Sequence, residues 1–394
     1  MVSVTPRPVA PVSSTSTVRV ANERALYEVL CRGGQVSAPE LVSSTGLSKP
    51  TVGLALAGLE RAGLVEQVGR RTGSTGRAPR LYRLRAAAGG TLALDVGRRW
   101  VRGARVDLAG QVVARSELAA DGRSAAAVVD QVLQLAETVG AEAEGPVSHT
   151  VLGSPGVYDA AADLIRLAPN LPGWEDTAVL ARLRDGLPGA LVVENDINLA
   201  SLAELDRLRA SGEGTDTFVL VSVGTGLGMG IISQGSLLRG ARGAAGEISY
   251  LPADPSGSAS PTRLEELTGS ASVVSAAQEA GLQVESAAAV FDAARHGSAA
   301  ARSVVEREAR RVAVALTAVV AVLDPPLVIL GGGIGRNGDL LLEPIRSELA
   351  RRLPLAPPAI RVSRLDADAP LQGALADGLV RARDHAFEVA SAGS

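Results

Sequence analysis

From Thr91 onward the chain alternates short apolar runs with amphipathic stretches of helical period, and that alternation narrows the possible folds sharply. The runs Thr91 to Leu94, Val101 to Val106, Thr150 to Leu152, Ala190 to Val193, Phe218 to Val223, Met229 to Ser233 and Leu327 to Leu330 have the length of strands. Stretches such as Ala125 to Val139 and Ser303 to Leu323 place apolar residues on one helical face. Strands alternating with helices predict an α/β fold with partly parallel sheets. Because hydrophobic residues make up 46 % of the chain and aromatics only 2 %, the core must be built from Ala, Val and Leu, which suits helices packed on parallel strands. The opening pair of strands, joined by a tight turn and followed by helices, also fits an actin-like nucleotide-binding architecture.

The first 90 residues obey different rules. At 394 residues the chain exceeds one ordinary domain. Residues 1–18, rich in Pro, Ser, Thr and Val without period, read as a disordered leader; 19–87 as a small helical domain ending in an Arg-rich ribbon; and 88–394 as the α/β part, reached through the linker-like Arg85-Ala-Ala-Ala-Gly-Gly90. The net charge of -3 conceals an imbalance: residues 1–90 carry +7, and the remainder -10. A basic head on an acidic body suits a polyanion partner for the head, or simply a solvated basic surface.

Start and stop signals place three helices in that head. The first runs from about Asn22 to Arg32, with Leu26, Val29 and Leu30 on one face. Ser37-Ala-Pro-Glu40 has the form of a capping box and opens the second, which Gly46 ends. Ser48 caps the third, and Val52, Leu56 and Leu59 point inward, leaving Ser48, Lys49 and Thr51 outward at its N-terminal end. Two helices about a glycine turn form a helix-turn-helix, whose second helix enters the major groove of double-stranded DNA. Between Arg70 and Arg85 stand six arginines, Arg70, Arg71 and Arg77 among them, and no acid, as a wing lying along phosphates requires. Leu54, also outward, either meets a thymine methyl or packs. Paired heads, and hence a homodimer or homotetramer, follow from half-site reading.

In the larger part, Asp95-Val-Gly97, Gly224-Thr225-Gly226 and Gly331-Gly332 each follow a strand, where glycine lets the backbone approach a phosphate or close a turn. Asn195-Asp196 follow the strand Leu191 to Val193, at the edge where α/β folds place their sites, although Asp196 would equally serve as a helix cap.

These segments, together with Ala168-Pro-Asn-Leu-Pro-Gly-Trp174, Glu194-Asn-Asp-Ile-Asn-Leu-Ala200 and Gly240-Ala-Arg-Gly-Ala-Ala-Gly-Glu-Ile248, resemble the ROK family in order and spacing. The resemblance implies a winged helix-turn-helix followed by a bilobal actin-like (ribonuclease H-like) sugar-kinase fold, and a sugar-linked transcription regulator, most simply a repressor. It implies that Asn170, Asn195, Asp196, Glu247, Tyr250 and Glu265 hold a sugar or sugar-derivative effector, with Asp196 the general base if the chain is a kinase. Asp95, Gly97, Gly224, Thr225, Gly226, Gly331 and Gly332 correspond to the nucleotide-binding turns.

Two departures from the family pattern bear on chemistry. The kinases open this domain with Asp-x-Gly-Gly-Thr, whereas Asp95-Val-Gly97 is followed by Arg98-Arg99-Trp100, so these turns read as vestigial and the chain as no enzyme. The arginines fit a surface hairpin turn or an anion contact. The family's zinc site needs one histidine and three cysteines; Tyr250 stands at the histidine position and the loop from Asp254 to Thr262 has no cysteine, so neither zinc nor any other cofactor is expected. The single cysteine, Cys31, permits no disulfide within the chain. With no apolar run of about 20 residues and no signal segment, the protein is expected to be cytoplasmic and independent of membranes.

Overall fold

The structure is a computed structural model describing residues 15–70, 79–142, 144–169, 171–253 and 262–392. The head comprises α1 (Thr15–Cys31), β1 (Val36–Ser37), α2 (Ala38–Thr45), α3 (Lys49–Arg61), β2 (Val65–Arg70) and β3 (Arg80–Leu84). Its three strands pair in the order β1-β3-β2. The expected signals operate: Glu40 Oε2 accepts the Ser37 amide at 2.8 Å, Gly46 adopts φ +70 at the end of α2, and the Ser48 hydroxyl accepts the Thr51 amide at 3.3 Å. Leu26, Leu30, Leu41, Val52, Leu56 and Leu59 form the buried interior.

Two features of the head differ from expectation. Helix α1 begins at Thr15 rather than near Asn22, so residues 15–18 do not belong to a leader. Arg19 pairs with Glu23 at 3.2 Å one turn on, and Val20 packs on the head core, which together give the early turns a reason to be helical. Residues 1–14 of the expected leader lie outside the described residues. Strand β1 is too short to show a period in sequence, and pairing with Leu81 and Tyr82 creates it.

The body opens with β4 (Gly90–Val96), β5 (Trp100–Asp107), β6 (Val112–Ala119), α4 (Ala125–Ala141), β7 (Val147–Ser154), β8 (Val157–Asp159), β9 (Leu164–Arg166), α5 (Thr177–Gly186), β10 (Ala190–Asn195) and α6 (Asp196–Ala210). Its five-stranded sheet has the order β10-β7-β4-β5-β6, with β10, β7 and β4 parallel. The second lobe follows with β11 (Phe218–Val223), β12 (Leu227–Ser233), β13 (Ser236–Leu237), α7 (Leu264–Leu267), α8 (Ser270–Glu279), α9 (Ala287–Arg295), α10 (Ala299–Leu323), β14 (Leu327–Gly331), α11 (Gly332–Gly335), α12 (Gly338–Arg352), β15 (Ala359–Val362) and α13 (Ala369–Ala392). Its sheet runs β13-β12-β11-β14-β15. Each lobe buries a separate core dominated by Val, Leu and Ala.

Helices α6 and α13 join the lobes. Glycines permit close approach of α13: a Cβ at Gly373 would run into the Leu199 carbonyl of α6, and one at Gly378 into the Thr91 hydroxyl of β4. On its other side α6 lies flat on β12, where Gly228 and Gly230 leave room for Ile197 and Ser201. The segment that reads as a linker is docked instead: residues 86–88 form a turn of 3-10 helix, and the Leu108 amide donates to the Ala86 carbonyl at 3.4 Å. No helix among the described residues is long and apolar enough to cross a membrane.

Candidate functional site

Parallel pairing brings one set of predicted residues together. Asp95 lies opposite Gly153, and Asn195 opposite Ser154, so Asp95, Ser154 and the Asn195-Asp196 corner share the C-terminal edge of the first sheet. The second sheet repeats the arrangement, with Ser222 of β11 opposite Gly331 of β14. The two glycine turns beyond them meet, since Gly332 is held at φ +78 where a side chain would strike the Val223 carbonyl. Both sheets thus present glycine-lined or acidic C-terminal edges, the general location of ligand crevices in such folds.

At the start of α6 the adjacent residues take different tasks. Asn195 is the helix cap: its Oδ1 accepts the amides of Ile197 at 2.9 Å and Asn198 at 3.3 Å, while its Nδ2 donates to the Gly156 carbonyl at 2.8 Å. Asp196 is the first residue of the helix, with Oδ1 2.8 Å from the Ile197 amide. Burial pushes its carboxyl up to about 6, against the backbone hydrogen bonds that favour the charged form. Its charge in turn acts on Asp95, which burial first and Asp196 second push up to about 7, with Arg102 opposing.

Glu247 precedes a short 3-10 turn, Ile248–Tyr250, and its carboxyl is raised by burial and then by the charges of Asp196 and Glu265, against a hydrogen bond from the Ser249 hydroxyl at 3.4 Å. Glu265, on α7, lies so close to Gly226 that a Cβ there would come within 2.5 Å of its Oε1. Tyr250 sits under the Arg263 guanidinium at 4.9 Å and feels Glu247 and Glu265 after burial. The charges of Asp196 and Glu265 act on Glu247, and that of Asp196 on Asp95, so Asp95, Asp196, Glu247 and Glu265 form one cluster of hydrogen-bond acceptors, a set whose chemistry suits a neutral polyhydroxyl ligand. Asn170 lies outside the described residues.

In the head, Ser48 and Thr51 are bonded to one another through their hydroxyls at 2.8 Å, and Lys49 is exposed. The exposed side of α3 continues through Pro50, Gly53, Leu54 and Ala57, with Leu54 75 % exposed. Arg70 ends β2 on the surface; Arg71 and Arg77 lie outside the described residues.

The model of the ROK family matches residues 91–380. The chain belongs to the ROK family. A glucokinase from Halalkalibacterium halodurans is 28 % identical over an alignment 278 residues long that covers 64 % of this chain and 83 % of that protein. The xylose repressor of Bacillus subtilis is 22 % identical over 348 residues, 87 % of this chain and 90 % of that protein, so this likeness reaches into the head. The crystal structure of a ROK family transcriptional regulator, a homolog of the E. coli MLC protein, covers 96 % of this chain and all of its own with a TM-score of 0.75 at 20 % identity, a likeness of fold that spans the head as well as the bilobal actin-like body.

Several charged residues beside these turns were not expected from the sequence. Arg102 stands directly across from Asp95 on β5 and pairs with it at 3.5 Å, then with Glu117 on β6 at 3.2 Å, so three neighbouring strands carry one charged rung. Glu194, buried behind the cap, accepts the Asn195 amide, the Asn198 side-chain amide and Arg239 at 2.9, 2.8 and 2.6 Å. Below the Gly224 turn, the Gly224 carbonyl accepts the Ser270 amide, and the next amide back, Gly269, donates to Glu308 at 3.1 Å. Glu194 was within reach because it opens the Glu-Asn-Asp motif; Arg102 and Glu308 carry no local signal. Arg98, Arg99 and Trp100 are exposed at the turn between β4 and β5.

Proposed function

We propose that the chain is a DNA-binding transcription regulator, a repressor, controlled by a sugar or sugar derivative held between its lobes, acting as a homodimer or homotetramer in the cytoplasm. The observation that carries this reading is the continuity of the head with the body. The head core extends through Tyr27 to Phe387 of α13, whose rings lie 5.3 Å apart, and α13 packs along α6, whose first residue is Asp196. A ligand on Asp196 thereby acts on the helix that holds the helix packed against the DNA reader. The reach of the xylose repressor likeness into the head supports it.

Asp196, Glu247 and Glu265 receive the effector's hydroxyls, while Asn195 fixes the corner from which Asp196 projects. Tyr250 occupies the place where the family's zinc-bound histidine would stand, and the protein works without that metal. Phosphoryl transfer is lost, because positioned phosphates are needed as well as a base, and Arg98 and Arg99 occupy the turn while Arg102 ties up Asp95. A sugar kinase that also binds DNA is the second reading, favoured by the raised carboxyl of Asp196, a property of a general base, and by the glucokinase likeness.

Thermal stabilisation of the full chain by a panel of sugars and sugar derivatives tests the main reading, since a ligand selective for the folded state raises stability by mass action. One member should stabilise the protein and alter its DNA affinity, and Asp196→Ala should abolish both effects while leaving ligand-free DNA binding intact. An unaltered response in Asp196→Ala places the sensor elsewhere. ATP-dependent product formation that vanishes in Asp196→Asn establishes the second reading.

A further inference from the structure

On the far edge of the second sheet, beside β15, lies a cavity of about 280 Å³ that the sugar cleft does not use. Its buried lining is apolar, supplied by β14 and β15. Its polar lining is Arg207 of α6, Arg346 of α12, Arg361 of β15, Arg364 of the segment leading to α13, and Glu213. Four arginines from four separate segments thus converge on one opening.

The charges around it do not balance internally. Arg207 donates from Nε to buried Glu204 at 2.9 Å and approaches Glu213 at 3.5 Å, and Arg361 pairs with Glu213, so two carboxylates answer two guanidiniums. Arg346 makes one bond, from Nη2 to the Ile360 carbonyl at 2.9 Å. The Arg364 side chain has no partner among the described residues. Two positive charges remain, and a phosphate monoester carries about -1.5 to -2 near neutral pH. Guanidinium forks bind phosphoryl oxygens in pairs, and an apolar floor accepts the carbon skeleton that the phosphate bears.

We propose that this cavity is a binding site for a small phosphate monoester, with Arg346 and Arg364 as the principal phosphoryl ligands and Arg207 and Arg361 completing the ring. Occupation would tie α6 and α12 to the segment that enters α13.

The full chain is titrated calorimetrically with inorganic phosphate and with phenyl phosphate, at ionic strength held constant with chloride. Both should bind saturably, phenyl phosphate the tighter. Arg346→Gln and Arg364→Gln should each weaken binding by about tenfold, the loss for a hydrogen bond to a charged group. Arg364→Gln removes no internal contact, so it decides the matter if Arg346→Gln disturbs the fold. The variants Lys49→Ala with Arg70→Ala, and Arg98→Gln with Arg99→Gln, should bind as the parent does. Binding unchanged in Arg364→Gln, binding lost in either of the other two variants, or no binding beyond the chloride background would overturn the proposal.

Discussion

Glu308 shows what a single buried carboxyl can do to this protein. It is 1 % exposed, one oxygen accepts the Gly269 amide, and the other has no partner among the described residues. Burial pushes its pKa up to about 7 from an ordinary 4.5, against Gly269, Arg311 and Arg307. The stability held by its neutral form is fully present below the unfolded value and is lost as pH rises through about 7. Glu308→Gln keeps the acceptor for Gly269 and has no charge to bury, so the variant should be the more stable at pH 8, by no more than roughly 3 kcal/mol. The advantage should disappear at pH 4. Paired denaturation curves across that interval check it; a difference independent of pH would show that the carboxyl has the same pKa folded and unfolded.

At the scale of elements, α3 carries two kinds of side chain toward the same exterior. Lys49 is a cation at its start, with Arg70 a second on the neighbouring ribbon, whereas Pro50, Gly53, Leu54 and Ala57 are apolar or small. If the helix occupies a major groove, charge sets affinity and the apolar strip reads thymine methyls. Lys49→Ala and Arg70→Ala should each flatten the salt dependence of DNA binding by about one unit of slope. Leu54→Ser should instead relax sequence preference at unchanged slope, and shift stability by less than about 0.5 kcal/mol because the side chain is already in water. Binding curves for operator and random duplex at several salt concentrations separate the two.

Elements were also the most legible level of the sequence. Ser48, Gly46 and Glu40 act within one turn of where they stand, and the strands of the body announce themselves by apolar runs, so helices α2 and α3 and the order of the lobes could be read directly. The glycine turns and the Asn195-Asp196 corner were legible for the same reason. What stayed hidden depends on partners distant in the chain. Strand β1 exists because β3 is there to pair with it, and Asp95 meets Arg102 only through hairpin register. The division of labour at Asn195 and Asp196, one capping and one acting on the carboxyls of Asp95 and Glu247, rests on which of two adjacent polar side chains reaches Gly156.

For the whole molecule, the proposed regulation depends on the junction of head and body. Besides the Tyr27 and Phe387 rings, the Tyr27 hydroxyl donates to the Arg383 carbonyl at 3.1 Å, Arg24 pairs with Asp384, and Arg383 donates to the Leu108 carbonyl at 3.0 Å. Phe387→Ala should cost about 3 to 5 kcal/mol of stability, as truncation of a buried aromatic does. It should also leave effector binding in place while shrinking the effect of effector on DNA affinity, which for coupled sites is typically about 1 to 3 kcal/mol and equal in both directions. Titrating effector with and without DNA, in parent and variant, measures the coupling twice over. Full coupling in Phe387→Ala would mean that another contact carries it.

The placement of α13 has a consequence for how the protein is made. A chain emerges from the ribosome head first, and the three helices and ribbon of the head can close on themselves early, because most of their contacts are local. Yet one side of that head is finished by Phe387 and Arg383, about 360 residues later, after both lobes have been synthesised. A nascent chain can thus carry a closed head for most of its synthesis without the contacts that seat it on the body. Under the proposed function, the arrival of α13 is what would make the head answer to an effector, so a chain stopped within α13 should keep a closed head that binds DNA without regulation.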